Sequence, residues 1–264
     1  MPYREFQPAP ALRPYVRCYW MLNAPASTAV PEPQPIFPDG CMEVAMHFGD
    51  PFERSIAGGH WERQVRYLFI GQMLSPTVVR ASGQTAVLGI RFQPAGLHAF
   101  CTIPKRELQN RIEPLDSVWP AILRRIGEPP ESPQHLKHLD TFLLSCLRLR
   151  GDSRIAVAAA TLSSDPNMPI DPLISQTGMS ARTFRRNFVE QVGIGPKSFA
   201  RIVRFQNALL ALRSRPQVEA ALTAGYYDQP HMVHEFQQLA GCPPSALLPR
   251  DGHFLQDSHS QSVL

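Results

Sequence analysis

Residues 170–241 contain the same helical pattern twice, and this repeat restricts the fold of the chain more than any other feature. Each copy has a short apolar segment, a glycine turn, and a longer segment with apolar side chains three or four residues apart. Gly178 and Gly193 punctuate the first copy, and Gly225 and Gly241 punctuate the second. A short helix, a tight turn and a longer helix in tandem predict two helix-turn-helix motifs joined by a single helix.

The longer segment of the first copy, residues 180–192, has a basic face. Ser180 is a good N-cap, because its hydroxyl can accept a hydrogen bond from the first turn of a helix. Apolar side chains recur every four residues at Phe184, Phe188 and Val192, and a different side of the helix carries three arginines: Arg182, Arg185 and Arg186. A guanidinium can bind phosphate or form two hydrogen bonds to guanine. The pattern therefore indicates a DNA recognition helix, although an amphipathic helix with a solvated basic face has the same pattern.

The second copy shares the apolar stripe but lacks the arginines. Asp228 is the expected N-cap, and Pro230 follows in the first turn, where proline is tolerated. The polar positions of this helix that are candidates for DNA contact are Gln229, His231 and His234. Glu235 is expected to repel phosphate. The helix that joins the copies begins at Pro196 and adds three candidates for contact with the DNA backbone, Lys197, Arg201 and Arg204, whose alternative is a solvated basic face.

Composition is that of an ordinary soluble protein, and the basic charge permits a polyanionic partner without requiring one. The chain has 264 residues, enough for two domains with separate cores. Its formal net charge is +4, but residues 178–215 hold eight Arg or Lys and one Glu, a local charge of +7. The five cysteines form no CxxC pair, the N-terminus lacks a signal-peptide pattern, and no apolar run reaches the length of a membrane span. We therefore expect a cytoplasmic, nucleoid-associated protein with no membrane partner.

The first half of the chain is rich in proline and glycine and predicts a mostly antiparallel β barrel or sandwich with flanking helices. The expected strands cover residues 17–22, 42–48, 65–70, 77–81 and 86–92, and the expected helical segments cover residues 97–100 and 115–126. The aromatic residues of this half form its core or line an apolar ligand pocket: Trp20, Phe37, Phe48, Trp61, Phe69, Phe92 and Phe100. Glu43 and His47 share one face of a strand, and with His60 they carry metal-ligating groups. They show no paired-ligand signature, so neither a metal nor another cofactor is predicted.

Three prolines within residues 128–133 mark the boundary between the halves, because such a segment forms neither a regular helix nor a central strand. The apolar positions that follow predict a helix over residues 134–149, which either packs on the second domain or carries a dimer contact. The expected organisation is an α+β two-domain chain. It has a β-rich sensor or dimerisation domain at 1–127, a linker and connecting helix at 128–151, an all-α DNA-binding domain at 152–250 and a disordered tail at 251–264.

Particular residues of both copies match the pattern of a known family. They are Gly178, Ser180, Phe184, Arg186, Phe188 and Gly193, then Ala221, Gly225, Tyr226, Asp228, His231, Phe236, Gly241, Pro244 and Ser245. On these residues, the segment 152–250 resembles the DNA-binding domain of the AraC/XylS family of transcriptional regulators. The first half, with FPDGCMEVAMHFGDP at 37–51 and GIRFQPAGLHAF at 89–100, is similar to the β-rich N-terminal domain of one branch of that family.

The resemblance implies sequence-specific DNA binding rather than catalysis. Its two recognition helices would enter the major groove about one duplex turn apart, roughly 34 Å. Double-stranded DNA is the expected partner, and RNA polymerase, a small-molecule effector and a second copy of the chain are further candidates. Two other functions remain open at this point. They are a protein-interaction adaptor with degenerate helix-turn-helix units and a metal-dependent β-barrel enzyme.

Overall fold

The first half of the chain forms two antiparallel sheets rather than one closed barrel. The computed structural model describes residues 3–26, 28, 31–101, 103–123, 133–148 and 152–247. Its strands are β1 (Tyr3–Phe6), β2 (Val16–Ala24), β3 (Gln34–Ile36), β4 (Glu43–His47), β5 (Glu53–Ser55), β6 (Trp61–Arg63), β7 (Tyr67–Ile70), β8 (Thr77–Arg80), β9 (Thr85–Phe92) and β10 (Ile112–Pro114). One sheet has six strands in the order β1-β2-β9-β4-β7-β10, and the other has four in the order β3-β8-β5-β6. The predicted antiparallel β domain is confirmed in its two-sheet form, and the barrel alternative is wrong.

The six-stranded sheet is covered on both faces, because successive side chains of a strand point to opposite sides. On β4, Val44 and Met46 belong to a core shared with helices. Ala45 belongs to a second core that faces the four-stranded sheet. Glu43 and His47 lie on the same side as Ala45, as their even spacing predicts, and line a cavity between the sheets.

Helical segments cover the outer face of the six-stranded sheet. Short 3-10 turns occur at Pro10–Leu12, Gly96–Ala99 and Lys105–Leu108, and a fourth such segment, Ala57–Gly59, lies between β5 and β6. The predicted helix at 115–126 is two short helices, α1 (Leu115–Val118) and α2 (Pro120–Leu123), since Pro120 interrupts the backbone hydrogen bonding. Residues 124–126 lie outside the described chain.

Helix α3 (Pro133–Cys146) packs on the first domain, so the predicted packing on the second domain is wrong. Leu136, Leu139 and Leu143 are buried in the same core as the outer face of the large sheet. The Asp140 carboxylate accepts hydrogen bonds from the Tyr19 hydroxyl at 2.7 Å and from the Ala9 backbone amide, in the loop between β1 and β2, at 3.1 Å. Residues 128–132 of the predicted linker and the predicted tail 251–264 lie outside the described residues.

The second half consists of helices, as predicted from their apolar periodicity. They are α4 (Ser153–Ser164), α5 (Ile170–Thr177), α6 (Ala181–Val192), α7 (Pro196–Ala211), α8 (Gln217–Ala224), α9 (Gln229–Ala240) and α10 (Pro244–Leu247). The tandem pattern is confirmed. Helices α5 and α6 form the first motif, α8 and α9 form the second, and α7 joins them. Each of these four motif helices ends at a glycine in the left-handed conformation: Gly178, Gly193, Gly225 and Gly241. None of the helices in the described parts of the chain is both long and apolar enough to cross a membrane.

The two halves contact each other along α7. The Phe37 ring, which follows β3, packs edge-on against the Phe205 ring with centroids 6.0 Å apart. The Gln206 side-chain amide donates a hydrogen bond to the Pro38 carbonyl at 2.5 Å. Phe37 is buried in the core of the second half although it belongs to the chain of the first. The helix that joins the two motifs is therefore packed directly against the β domain.

Candidate nucleic-acid interface

Helix α6 exposes the three predicted arginines. The Ser180 side chain caps the helix by accepting a hydrogen bond from the Thr183 amide at 3.2 Å, as predicted. Phe184, Phe188 and Val192 are fully buried in the helical core. The structure places the guanidinium-bearing residues of the opposite side at the surface, and these are Arg182, Arg185 and Arg186. Because three cations share one exposed face of the second helix of its motif, α6 has the form and charge of a DNA recognition helix.

Helix α9 presents a weaker set of polar groups. Asp228 caps it, with its carboxylate accepting from the His231 amide at 2.8 Å. Gln229 is half-buried and donates to the Gln217 side chain at 3.0 Å. The His234 ring is exposed and lies 2.9 Å from the Gln238 amide nitrogen. These predicted contact residues lie in the first half of α9, and each already has an intramolecular partner.

Glu235 is buried, so the prediction that it repels phosphate is wrong. Its side chain is 5% exposed and accepts a hydrogen bond from Arg201 at 2.8 Å, with an Arg204 nitrogen at 3.6 Å. The Arg204 guanidinium also lies over the Tyr226 ring, 5.3 Å from its centroid. The His231 ring packs edge-on against Tyr226 at 5.2 Å, and its Nε2 is 3.9 Å from Glu235. This polar cluster joins α7 to the turn and second helix of the second motif.

Sequence reasoning missed this cluster although the sequence contains a signal for it. Met232, Phe236 and Leu239 form the apolar stripe of α9. Glu235 lies three residues after Met232 and therefore on the same face of the helix. A carboxylate on a buried face requires a cationic partner. The arginines of α7 at positions 201 and 204 provide it.

The three candidate backbone contacts of α7 have different surroundings. Arg204 is largely buried beside Glu235 and Tyr226, so it does not lie on a solvated basic face. Lys197 is exposed in the first turn of the helix, next to the end of α6. Arg201 is half-exposed, with 38% of its side chain accessible, and it bonds both Glu235 and the Gln238 side chain. Lys197 is thus placed at the surface for a partner in solution, whereas Arg201 already connects α7 to α9.

The N-terminal domain contacts the C-terminal end of α6. Gly193, which ends this helix, lies so close to the first domain that a Cβ atom there would be 2.6 Å from Cε of Met42 and 3.1 Å from Cγ of Gln72. The buried Lys105 ammonium donates to two backbone carbonyls nearby, and burial lowers its pKa against the opposing effects of Cys101 and Glu190. The position of the first recognition helix is therefore fixed from the β domain as well as from its own core.

The described residues offer no alternative site built on a metal. No group of three or more His, Cys, Asp or Glu side chains in the described chain is arranged to hold a metal ion. Glu43 instead bonds Arg91, and His60 is exposed in the loop after the Ala57–Gly59 turn.

Two family models match the chain, one in each half. The model described as "Domain of unknown function (DUF6597)" matches residues 4–114, and the model described as "Helix-turn-helix domain" matches residues 173–250. The HTH-type transcriptional regulator MtrA of Neisseria gonorrhoeae is 31% identical over 71 residues, which are 26% of this chain and 24% of that protein. The chain thus matches about a quarter of the length of this relative.

Two solved structures are also similar to this chain. ToxT of Vibrio cholerae aligns with a TM-score of 0.48 and 9% identity, over 86% of this chain and 97% of that chain. A probable AraC family transcriptional regulator from Rhodopseudomonas palustris aligns with a TM-score of 0.33 and 26% identity, over 37% of this chain and 95% of that chain.

Proposed function

We propose that the chain is a transcriptional regulator of the AraC/XylS family and that it reads two successive major-groove segments of a specific DNA site. Helix α7 has 16 residues and is therefore about 24 Å long. A helix-turn-helix motif lies at each of its ends, so α6 and α9 would approach one face of the duplex about one turn apart.

The exposed arginine face of α6 carries this proposal. Arg182, Arg185 and Arg186 would contact base edges or adjacent phosphates in the first half of the DNA site. A guanidinium that forms two hydrogen bonds to guanine contributes about 1–3 kcal/mol of discrimination. Lys197, at the start of α7, would contact the backbone beside them.

Helix α9 would contribute less to DNA affinity. Gln229, His231 and His234 are its candidates for the second half of the site, but none of these side chains carries the permanent positive charge of a guanidinium group. Each of the three also has to give up or share a contact inside the protein. Arg201 would mainly orient α9 through Glu235, with any DNA contact secondary.

The β domain would control how the two motifs engage DNA, either by binding a small effector or by forming a homodimer, and the DNA-bound protein would then act on RNA polymerase. The packing of the domain against α7 and the end of α6 supports such control, because a change in the β domain alters the surroundings of both. The adaptor function is the second candidate, since the arginine face would also suit an acidic protein surface.

Genomic DNA selection with the full chain, followed by mobility-shift titration, tests the proposal. We expect fragments that share a two-part sequence. Arg185→Ala should weaken binding to the selected site far more than to random DNA. Arg4→Ala, which removes the same charge from the exposed edge of the β domain, is the control and should leave both affinities unchanged. Equal loss on random DNA would contradict base reading, and no DNA affinity at low salt would favour the adaptor.

A further inference from the structure

A cavity lies between the two sheets of the β domain, away from the arginine face of α6. Its walls are mostly apolar and include Leu22, Ile36, Phe52, Leu68, Val79 and Val87. The volume of the cavity is about 110 Å³, measured as the space open to the centre of a water-sized sphere. One water needs about 10–15 Å³ by this measure, and an engineered apolar cavity of about 150 Å³ accepts benzene. The cavity therefore has room for a molecule with a single ring.

Two polar groups on the cavity wall lack a well-formed hydrogen bond among the described residues. His47 is 2% exposed and neither of its ring nitrogens has a hydrogen bond of good geometry, although the Gln64 side chain is close enough to raise its pKa by a weak hydrogen bond. The Trp20 indole nitrogen is also buried without a partner. The Trp20 ring lies over Gly89, where a Cβ atom would be 1.8 Å from Cε2 of the indole. Unpaired buried polar groups are unfavourable, so both would gain from a hydrogen-bonding ligand.

The charges around the cavity disfavour an anionic ligand. Arg91 is 6% exposed and is paired with Asp39 at 3.4 Å, with Glu5 at 3.7 Å and, more closely, with Glu43. Three carboxylates thus surround one guanidinium, which has no excess positive charge for a ligand carboxylate. Arg17 is nearby, 3.7 Å from the Cys41 sulfur, but it is not part of the cavity wall. A cationic ligand is also disfavoured, since it would enter an apolar space whose carboxylates are already engaged.

Two segments connect the cavity wall to the helical half. In segment 37–42, Phe37 and Pro38 line the cavity and also contact Phe205 and Gln206 of α7. In segment 71–76, Met73 lines the cavity.

The flanking residues of the second segment reach both recognition helices. Gln72 lies against Gly193 at the end of α6, and Pro76 lies 3.9 Å from the position of a Cβ atom on Gly241 at the end of α9. The Gln72 amide also donates to the Gly40 carbonyl at 2.8 Å, which joins the two segments. Residues of the segment that lines the cavity therefore lie next to the C-terminal ends of both recognition helices.

We propose that this cavity binds an uncharged single-ring molecule with a hydroxyl or carbonyl group, and that segments 37–42 and 71–76 transmit its occupancy to α6 and α9. The ring would fill the apolar space, and its polar group would bond His47 and the Trp20 indole nitrogen. This inference rests on the proposed function, because the ligand would be the effector of the regulator.

Calorimetric titration of the full chain with a matched series of single-ring compounds tests the site. The compounds are toluene, benzyl alcohol, benzoate and benzylammonium. We expect benzyl alcohol to bind best, with toluene weaker by the loss of hydrogen bonds, about three- to tenfold, and with both charged compounds weaker still. His47→Phe and Trp20→Phe keep a ring but remove the polar group, and each should reduce the preference for benzyl alcohol over toluene. The exposed His60→Phe is the control. Benzoate or benzylammonium binding as tightly as benzyl alcohol, or an unchanged preference in both variants, would overturn the proposed site.

Amide hydrogen exchange with and without benzyl alcohol tests the transmission. We expect altered exchange in segments 37–42 and 71–76 and at the ends of α6 and α9, around Gly193 and Gly241, but not in the exposed loop around Gly59. Changes confined to the β domain would overturn the transmission. Neither measurement requires DNA, so a failure here is distinct from a failure of the proposed DNA binding, which the mobility-shift titration reports.

Discussion

The Arg201 guanidinium donates a hydrogen bond to the Glu235 carboxylate at 2.8 Å and so joins α7, between the two motifs, to the recognition helix of the second. Glu235 is nearly inaccessible to solvent, whereas Arg201 is partly exposed and the neighbouring Arg204 is largely buried. Removing Glu235 should therefore change the stability of the protein more than removing Arg201. Loss of the carboxylate leaves a buried cation unpaired, and loss of Arg201 leaves Glu235 with Arg204.

We expect Glu235→Ala to lower the free energy of unfolding by about 3–5 kcal/mol, the usual effect of removing one partner of a buried ion pair. Arg201→Ala should lower it by about 1 kcal/mol or less, since a partly exposed pair contributes little. Urea unfolding followed by far-UV circular dichroism measures both. Lys197→Ala, on the exposed start of the same helix, is the control. Equal effects of Glu235→Ala and Arg201→Ala would show that Arg204 gains nothing from the carboxylate.

The helical half was predictable because its signals are local. Apolar spacing, the caps Ser180 and Asp228 and the glycines after each helix all lie within a few residues of the element they define, and the structure confirms them. What the sequence did not reveal is pairing between distant residues. The burial of Glu235 was not predicted, because its ion-pair partners lie on another helix. The packing of α3 on the first domain was not predicted either, because an apolar stripe does not specify which domain covers it.

The β domain was predicted only in its central strands. Five strands were missed: β1, β3, β5, β6 and β10. All of them except the three-residue strand β5 lie at an edge of their sheet. Edge strands are short and polar, so they lack the apolar alternation by which buried strands are identified. The even spacing of Glu43 and His47 did predict their common face, but the cavity there depends on how two sheets meet. That arrangement is set by contacts between residues far apart in the chain.

Gly40→Ala should destabilise the protein through the contact between the domains. Gly40 has a φ of +78°, and a Cβ atom there would lie 2.8 Å from Cε2 of Phe199 in α7. The left-handed backbone costs an alanine about 1–2 kcal/mol, and crowding of a packed ring adds about 1–3 kcal/mol. The unfolding free energy of the full chain measures the total.

Gly59→Ala is a matched control for this prediction. Gly59 has nearly the same φ, +77°, but nothing lies within 4 Å of its Cβ position. It should therefore show the backbone cost without the crowding. The difference between the two variants isolates the contact of segment 37–42 with α7, and similar losses in both would mean that this contact tolerates a methyl group.

His47 should make the stability of the protein depend on pH. Burial lowers the pKa of His47 from 6.5 to about 4, with smaller effects of Gln64 and Arg66. Between these values the unfolded chain binds a proton that the folded chain does not, so the free energy of unfolding falls as the pH falls from 6.5 towards 4. At 1.36 kcal/mol per pKa unit, the full loss is about 3 kcal/mol. Urea unfolding across this range should show a shallower dependence in His47→Phe than in the wild type, and His60→Phe should follow the wild type.

Replacement of Arg182, Arg185 and Arg186 by alanine should weaken specific DNA binding far more than replacement of His231 and His234. The arginines are exposed on one face of α6, and each one that bonds a base is worth about 1–3 kcal/mol, so their joint loss should exceed about 100-fold in Kd. The histidine pair should cost about tenfold or less, because His231 packs on Tyr226 and both imidazoles attract phosphate weakly. Mobility-shift titration at several salt concentrations also separates charge from base reading. Each lost phosphate contact reduces the slope of log K against log salt by about 0.9, whereas a lost base contact leaves that slope unchanged. A greater loss from the histidine pair would make α9 the dominant recognition helix.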